Sequence, residues 1–73
     1  MIENTRKALL IIDDDRLFCD AVRAFFKNAA FATAAAHTGQ AGLEWCGNNR
    51  ADVILLDQKL PDSEGLQLCR AIL

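Results

Sequence analysis

A chain of 73 residues is one domain at most, and one that buries only about 60% of its unfolded surface, so its core is marginal. A composition of 52% hydrophobic and 25% charged residues excludes a disordered chain, and the longest apolar stretch, Ala8 to Ile12, is far short of the roughly 20 residues of a membrane span. The net charge of −2, with both signs mixed along the chain, argues against direct contact between this segment and nucleic acid.

The start, Met1 to Lys7, carries charge but no apolar run of signal-peptide length follows it, so the expected location is the cytoplasm. Cys19, Cys46 and Cys69 are widely spaced and odd in number. They make a poor disulfide framework and, even with His37 as a fourth ligand, a poor zinc site. Buried reduced thiols are the expectation.

Ala8-Leu9-Leu10-Ile11-Ile12 is an unbroken apolar run ending in Asp13-Asp14-Asp15, which predicts a strand covered on both faces, as in a parallel sheet. The period then changes. Leu17, Phe18, Ala21, Val22, Phe25, Phe26 and Ala29 recur at helical spacing and predict a core-facing stripe, with Arg16, Asp20, Arg23 and Lys27 opposite. Asp15 is placed to cap this helix. Phe31 to Ala36 is a second, weaker strand, because alanine has low strand propensity. Thr38 can cap a short helix running to about Cys46, with Gly47-Asn48-Asn49 as its left-handed stop. Asp52-Val53-Ile54-Leu55-Leu56-Asp57 is a third, buried strand that again ends on an acid. The loop Gln58 to Gly65 leads into a third helix over Leu66 to Leu73. Strand and helix alternate three times, which argues for an α/β fold with a parallel sheet and right-handed crossovers.

In such a sheet, function collects beyond the carboxyl ends of the strands. Two of the three strands end in aspartate there, and if they are neighbours Asp13, Asp14 and Asp57 share one crevice. Two carboxylates about 4 Å apart repel by roughly 4 kcal/mol at an effective dielectric near 20. A bound cation, raised pKa values or solvent exposure must answer that cost. Oxygen ligands at a partly open site favour Mg²⁺. Taken singly, Asp13 or Asp14 reads better as a strand terminator, Asp15 as a cap, and Asp52 and Asp62 as solvated turn acids. The coincidence of two acid-tipped strands at matching points of a βα repeat is harder to dismiss.

The stretch Leu9 to Asp15 resembles the first strand and acidic pair of response-regulator receiver domains. Asp52 to Leu66 resembles their phosphorylation strand and following loop, and Thr38-Gly39-Gln40-Ala41-Gly42-Leu43 is similar to the opening of their second helix. The resemblance covers essentially residues 1–73 and implies the flavodoxin-like receiver topology, of which three βα units of five are present, with the first strand between the second and third. It implies that Asp57 accepts a phosphoryl group from a sensor histidine kinase or phosphotransfer protein. Asp14 would bind Mg²⁺ directly, Asp13 directly or through water, and Asp57 and the Lys59 backbone carbonyl would add further oxygens. Leu60-Pro61 would shape the loop, and Gly65 would give it flexibility. The module signals and is not expected to be an enzyme beyond assisting its own phosphotransfer and dephosphorylation.

Several family features have no counterpart here. They are the hydroxyl residue ending the fourth strand, the lysine of the fifth and the nearby aromatic switch residue. The chain is therefore expected to be part of a longer protein that also carries the rest of the receiver and an output domain. On its own, Val53 to Leu56 would form an exposed apolar edge prone to oligomerisation or strand exchange. Gly42 stands where a stronger helix former is expected, Ser63 stands where the family often has an apolar residue, and Trp45 reads as packing. Two alternatives remain at this point. One is a phosphatase similar to the haloacid dehalogenases, with Asp13 as nucleophile and Asp15 as acid. The other is a receiver-like interaction module that is never phosphorylated. A dinucleotide fold is disfavoured, because no Gly-x-Gly-x-x-Gly follows the first strand.

Overall fold

The computed structural model describes residues 7–27 and 31–72. Six elements alternate: β1 (Lys7–Ile12), α1 (Arg16–Phe25), β2 (Phe31–Ala36), α2 (Gly39–Asn48), β3 (Val53–Leu56) and α3 (Gly65–Ile72). The strands form one parallel sheet in the order β2-β1-β3. This is the expected α/β architecture with the first strand in the middle.

The central position explains the composition of β1. Leu10, Ile11 and Ile12 are fully buried, and Leu9 nearly so, because helices cover both faces of the strand. Leu10 and Ile12 join Ala36 and Leu68 under α2 and α3, with Trp45 packed against them. Leu9 and Ile11 face the other way and join Cys19 of α1, with Val22, Phe26, Phe31 and Ala35 around them. The alanines of β2 thus face both layers, with Ala34 and Ala36 on one side and Ala35 on the other. Trp45 is a packing residue, as anticipated.

Gly42 explains itself at this level. A Cβ there would lie 2.6 Å from Cδ1 of buried Ile12, so the glycine lets α2 sit directly on the sheet.

The expected apolar stripe of α1 requires correction. The residues that meet the sheet are Cys19, Val22 and Phe26. Leu17 and Phe25 are 82% and 80% exposed, Phe18 is exposed, and so is Ala21, while Ala29 lies outside the described residues. Helical period alone does not say which part of a broad apolar face is covered, and the described residues supply three strands beneath it. Asp15 caps the helix as expected, its Oδ1 accepting from the Phe18 amide at 3.0 Å.

Two further expectations differ, the stop of α2 and the burial of β3. Gly47 and Asn48 lie inside α2, and no residue described here has positive φ. The helix stop is made by side chains instead: the Asn48 and Asn49 amides donate to the carbonyls of Glu44 and Trp45, at 3.0 and 2.9 Å. β3 is covered on one face only. Ile54 and Leu56 pack under the helices, whereas Val53 and Leu55 are 40% and 39% exposed.

Candidate metal and phosphoryl site

The register of the sheet builds the site. Ile12 and Leu56 are partners at the ends of β1 and β3, so the next residues, Asp13 and Asp57, leave the sheet side by side. The Asp57 amide donates to the Ile12 carbonyl at 2.9 Å and the Asp13 amide to the Ala36 carbonyl at 3.0 Å, which carries the ladder one step past each strand. Asp14 follows in the turn to α1. Asp13, Asp14 and Asp57 each bring a carboxylate oxygen to within 4.8 Å of the others. Asp14 is exposed and the other two are half-buried. The chain crosses from one side of β1 to the other at this point, which is the switch point where open α/β sheets place their ligands.

The group is oxygen-only, triply acidic and open to solvent on one side. That donor set suits a hard divalent cation that keeps several waters. A pocket of about 310 Å³ lined by Asp13, Phe18, Leu55, Leu56, Asp57 and Gln58 opens beside it. A larger hollow of about 530 Å³, between Asp20 and Arg23 of α1, Lys27 beyond its end and the start of β2, lies at the other end of the sheet and contains none of these acids.

The loop after Asp57 is tightly folded. Lys59 and Glu64 face each other in an antiparallel backbone pair, in which the Leu60 amide donates to the Ser63 carbonyl at 2.9 Å and the Gly65 amide to the Gln58 carbonyl at 2.8 Å. Gly65 is buried, and a Cβ on it would stand 2.5 Å from the Asp57 carbonyl oxygen. Its role is therefore close approach, and the expected flexibility is corrected.

Two acids that read as solvated turn residues are exposed, as expected, yet each also ties two segments together. The Asp52 carboxylate accepts from the Ala8 amide at 2.7 Å while its own amide donates to the Ala8 carbonyl at 2.8 Å, which aligns the starts of β1 and β3. Asp62 accepts from the Gly39 and Gln40 amides at 2.7 and 2.8 Å, tying the loop to the first turn of α2. Those amides, Gln40 first and then Gly39, hold its carboxyl below the usual carboxylate range. Gly39 allows this closeness, because a Cβ on it would collide with the Ser63 hydroxyl. No local signal in the sequence marks either partnership, since both cross long stretches of chain.

Asp15 stands apart from the acidic group. Its Oδ1 is engaged at the α1 cap and it is not one of the gathered carboxylates, so nothing in the site supports the acid of the phosphatase alternative. Cys19 is fully buried beneath the turn, and all three cysteines are free thiols. Burial, reinforced by Asp13, Asp15 and Asp20, pushes the Cys19 thiol up, so it remains an S–H donor.

Comparison with known proteins agrees with this geometry. The family model described as response regulator receiver domain matches residues 9–73. The transcriptional regulatory protein CutR of Streptomyces coelicolor is 38% identical over 64 residues, which make up 88% of this chain and 30% of CutR. The signal receiver domain of a Luxo repressor protein from Vibrio parahaemolyticus superimposes with a TM-score of 0.87 at 22% identity, over 92% of this chain and 52% of that one, a likeness of fold. A response regulator protein from Burkholderia pseudomallei, solved with a phosphorylated aspartic acid, calcium ion and citrate, matches with a TM-score of 0.79 at 26% identity, over 89% of this chain and 41% of its own. This chain thus spans under a third of CutR and 52% and 41% of the two solved proteins. No helix among the described residues is long and apolar enough to cross a membrane. With its parallel sheet in receiver order and its acids at the switch point, the chain belongs to the response regulator receiver domains of two-component systems.

Proposed function

We propose that the chain is the phosphoacceptor part of a response regulator, in which Asp57 takes a phosphoryl group from a sensor histidine kinase or phosphotransfer protein. The observation that carries this reading is the convergence of Asp13, Asp14 and Asp57 within 4.8 Å at the end of two neighbouring parallel strands. The phosphorylated aspartic acid and calcium ion of the Burkholderia pseudomallei relative support it by analogy.

The chemistry asks little covalent work of the protein. One Asp57 carboxylate oxygen attacks phosphorus in line, the bond from phosphorus to the donor's nitrogen or oxygen breaks, and the donor leaves with that electron pair. Asp13, Asp14, Asp57 and the Lys59 carbonyl are the groups to hold a Mg²⁺ ion, which would neutralise charge on the transferring group. The Asp57 main chain is held in place by the hydrogen bond its amide donates to the Ile12 carbonyl and by the Gly65 backbone packed against its carbonyl, which fixes where the side chain starts. The acyl phosphate adds negative charge at the start of a folded loop, the kind of local change that a switch reads out. We place residues 1–73 within one receiver domain of a longer, cytoplasmic protein with an output domain, which acts as a signalling module.

The test is to incubate the protein with a small phosphoryl donor or a phosphorylated kinase and Mg²⁺, then locate the modified residue by mass spectrometry. Label on Asp57 that is lost in Asp57→Ala and on chelation of the metal is the expected result. Label on Asp13 with rapid phosphate release would support the phosphatase alternative, and no label would support a passive interaction module.

A further inference from the structure

We propose that His37 is a positioning residue for the acidic pair, its ring bracing the Asp13 main chain so that the β1–α1 turn presents both carboxylates to a divalent cation. The inference rests on the function proposed above, because it assigns a role toward that same site.

The His37 Nδ1 lies 3.0 Å from the Asp13 carbonyl oxygen. A carbonyl oxygen only accepts, so Nδ1 must carry a proton, and in the neutral ring Nε2 is then bare. The Cys19 Sγ lies 3.5 Å from the same oxygen and 3.8 Å from Nδ1. A side chain from α1 and one from the turn after β2 thus converge on one carbonyl, which has two lone pairs to offer them.

The remaining polar groups of Asp13 are also engaged. Its amide donates to Ala36, and its Oδ1 accepts from the Asp15 amide at 3.0 Å. Only Oδ2 is left without a bond to the protein among those described, and this is the oxygen free to turn toward a metal. His37 follows directly on Ala36, the last residue of β2, which pairs with Ile12. The turn after β1 is therefore braced from both neighbouring strands, by Asp57 and its amide on the β3 side and by His37 on the β2 side. Groups that fix a metal ligand without touching the metal commonly change its affinity by 10- to 100-fold.

The test compares Mg²⁺ binding by calorimetry in the full chain, His37→Leu and His37→Asn, with long-range ¹H–¹⁵N NMR of the His37 ring. His37→Leu removes the donor and should weaken Mg²⁺ binding about tenfold. His37→Asn places an amide N–H near the position of Nδ1–H and should restore most of the affinity. The NMR spectrum should show the neutral ring protonated on Nδ1. Unchanged affinity in His37→Leu, failure of a folded His37→Asn to bind better than the leucine variant, or a proton on Nε2 overturns the role of His37 and leaves the proposed function standing. Absence of Mg²⁺ binding by the unaltered chain overturns both. Should His37→Leu fail to fold, the tautomer and the asparagine variant decide.

Discussion

Gly65 and Asp62 show how single residues hold the loop that follows the proposed phosphoacceptor. A Cβ on Gly65 would press on the Asp57 carbonyl, a backbone atom that cannot step aside. Gly65→Ala is therefore expected to destabilise the fold by about 1–3 kcal/mol, the usual range for overpacking, as measured by urea unfolding. Asp62 acts through charge. Its carboxyl is held below the usual range in the folded state by the Gln40 and Gly39 amides, so its contribution is complete above the unfolded-state value. That contribution is lost as pH falls through the folded value. Thermal melts from neutral to acidic pH should show a fall in Tm that is smaller in Asp62→Ala, whose Tm should already be lower at pH 7. Equal acid sensitivity in the two proteins would show that the Asp62 tether contributes nothing.

At the scale of elements, β1 and α1 make opposite predictions from similar sequence. Leu10 is fully buried between two helices and the sheet, and Leu10→Ala should cost about 2–5 kcal/mol, enough to unfold a domain this small. Leu17 is apolar too, yet 82% exposed, and Leu17→Ser should change stability by no more than about 0.5 kcal/mol. Urea unfolding of both variants checks the contrast. The difference marks the limit of what periodicity conveys. An unbroken apolar run such as Leu9 to Ile12 has one structural meaning in a βα repeat, and its placement was legible. The stripe from Leu17 to Phe26 fits the helical period equally well whichever part of it is covered, and coverage depends on how many strands lie beneath. The acids were legible for the same reason as β1, because Asp13 and Asp57 end apolar runs and neighbouring parallel strands bring such ends together. The partners of Asp52, Asp62 and His37 were not, since Ala8, Gly39 and Asp13 meet them only after the sheet has formed.

At the scale of the whole molecule, the sheet is covered unevenly. β1 is enclosed, whereas β3 pairs on one side with β1 and leaves Val53 and Leu55 partly exposed, Leu55 lining one pocket with exposed Phe18. A strand edge with apolar neighbours invites pairing with another chain. The 73-residue chain should therefore self-associate with rising concentration in light scattering, and Val53→Lys should reduce the effect; a monomer throughout would show that the edge is protected. The central claim is that acids from two strands serve one cation, and Mn²⁺ in place of Mg²⁺ tests it most directly, because a paramagnetic ion broadens the NMR signals of nearby amides. At substoichiometric Mn²⁺, the amides of Asp13, Asp14, Asp57 and Lys59 should broaden together and first. Broadening confined to the β1–α1 turn, or scattered over remote acids such as Asp20 and Glu44, would contradict it.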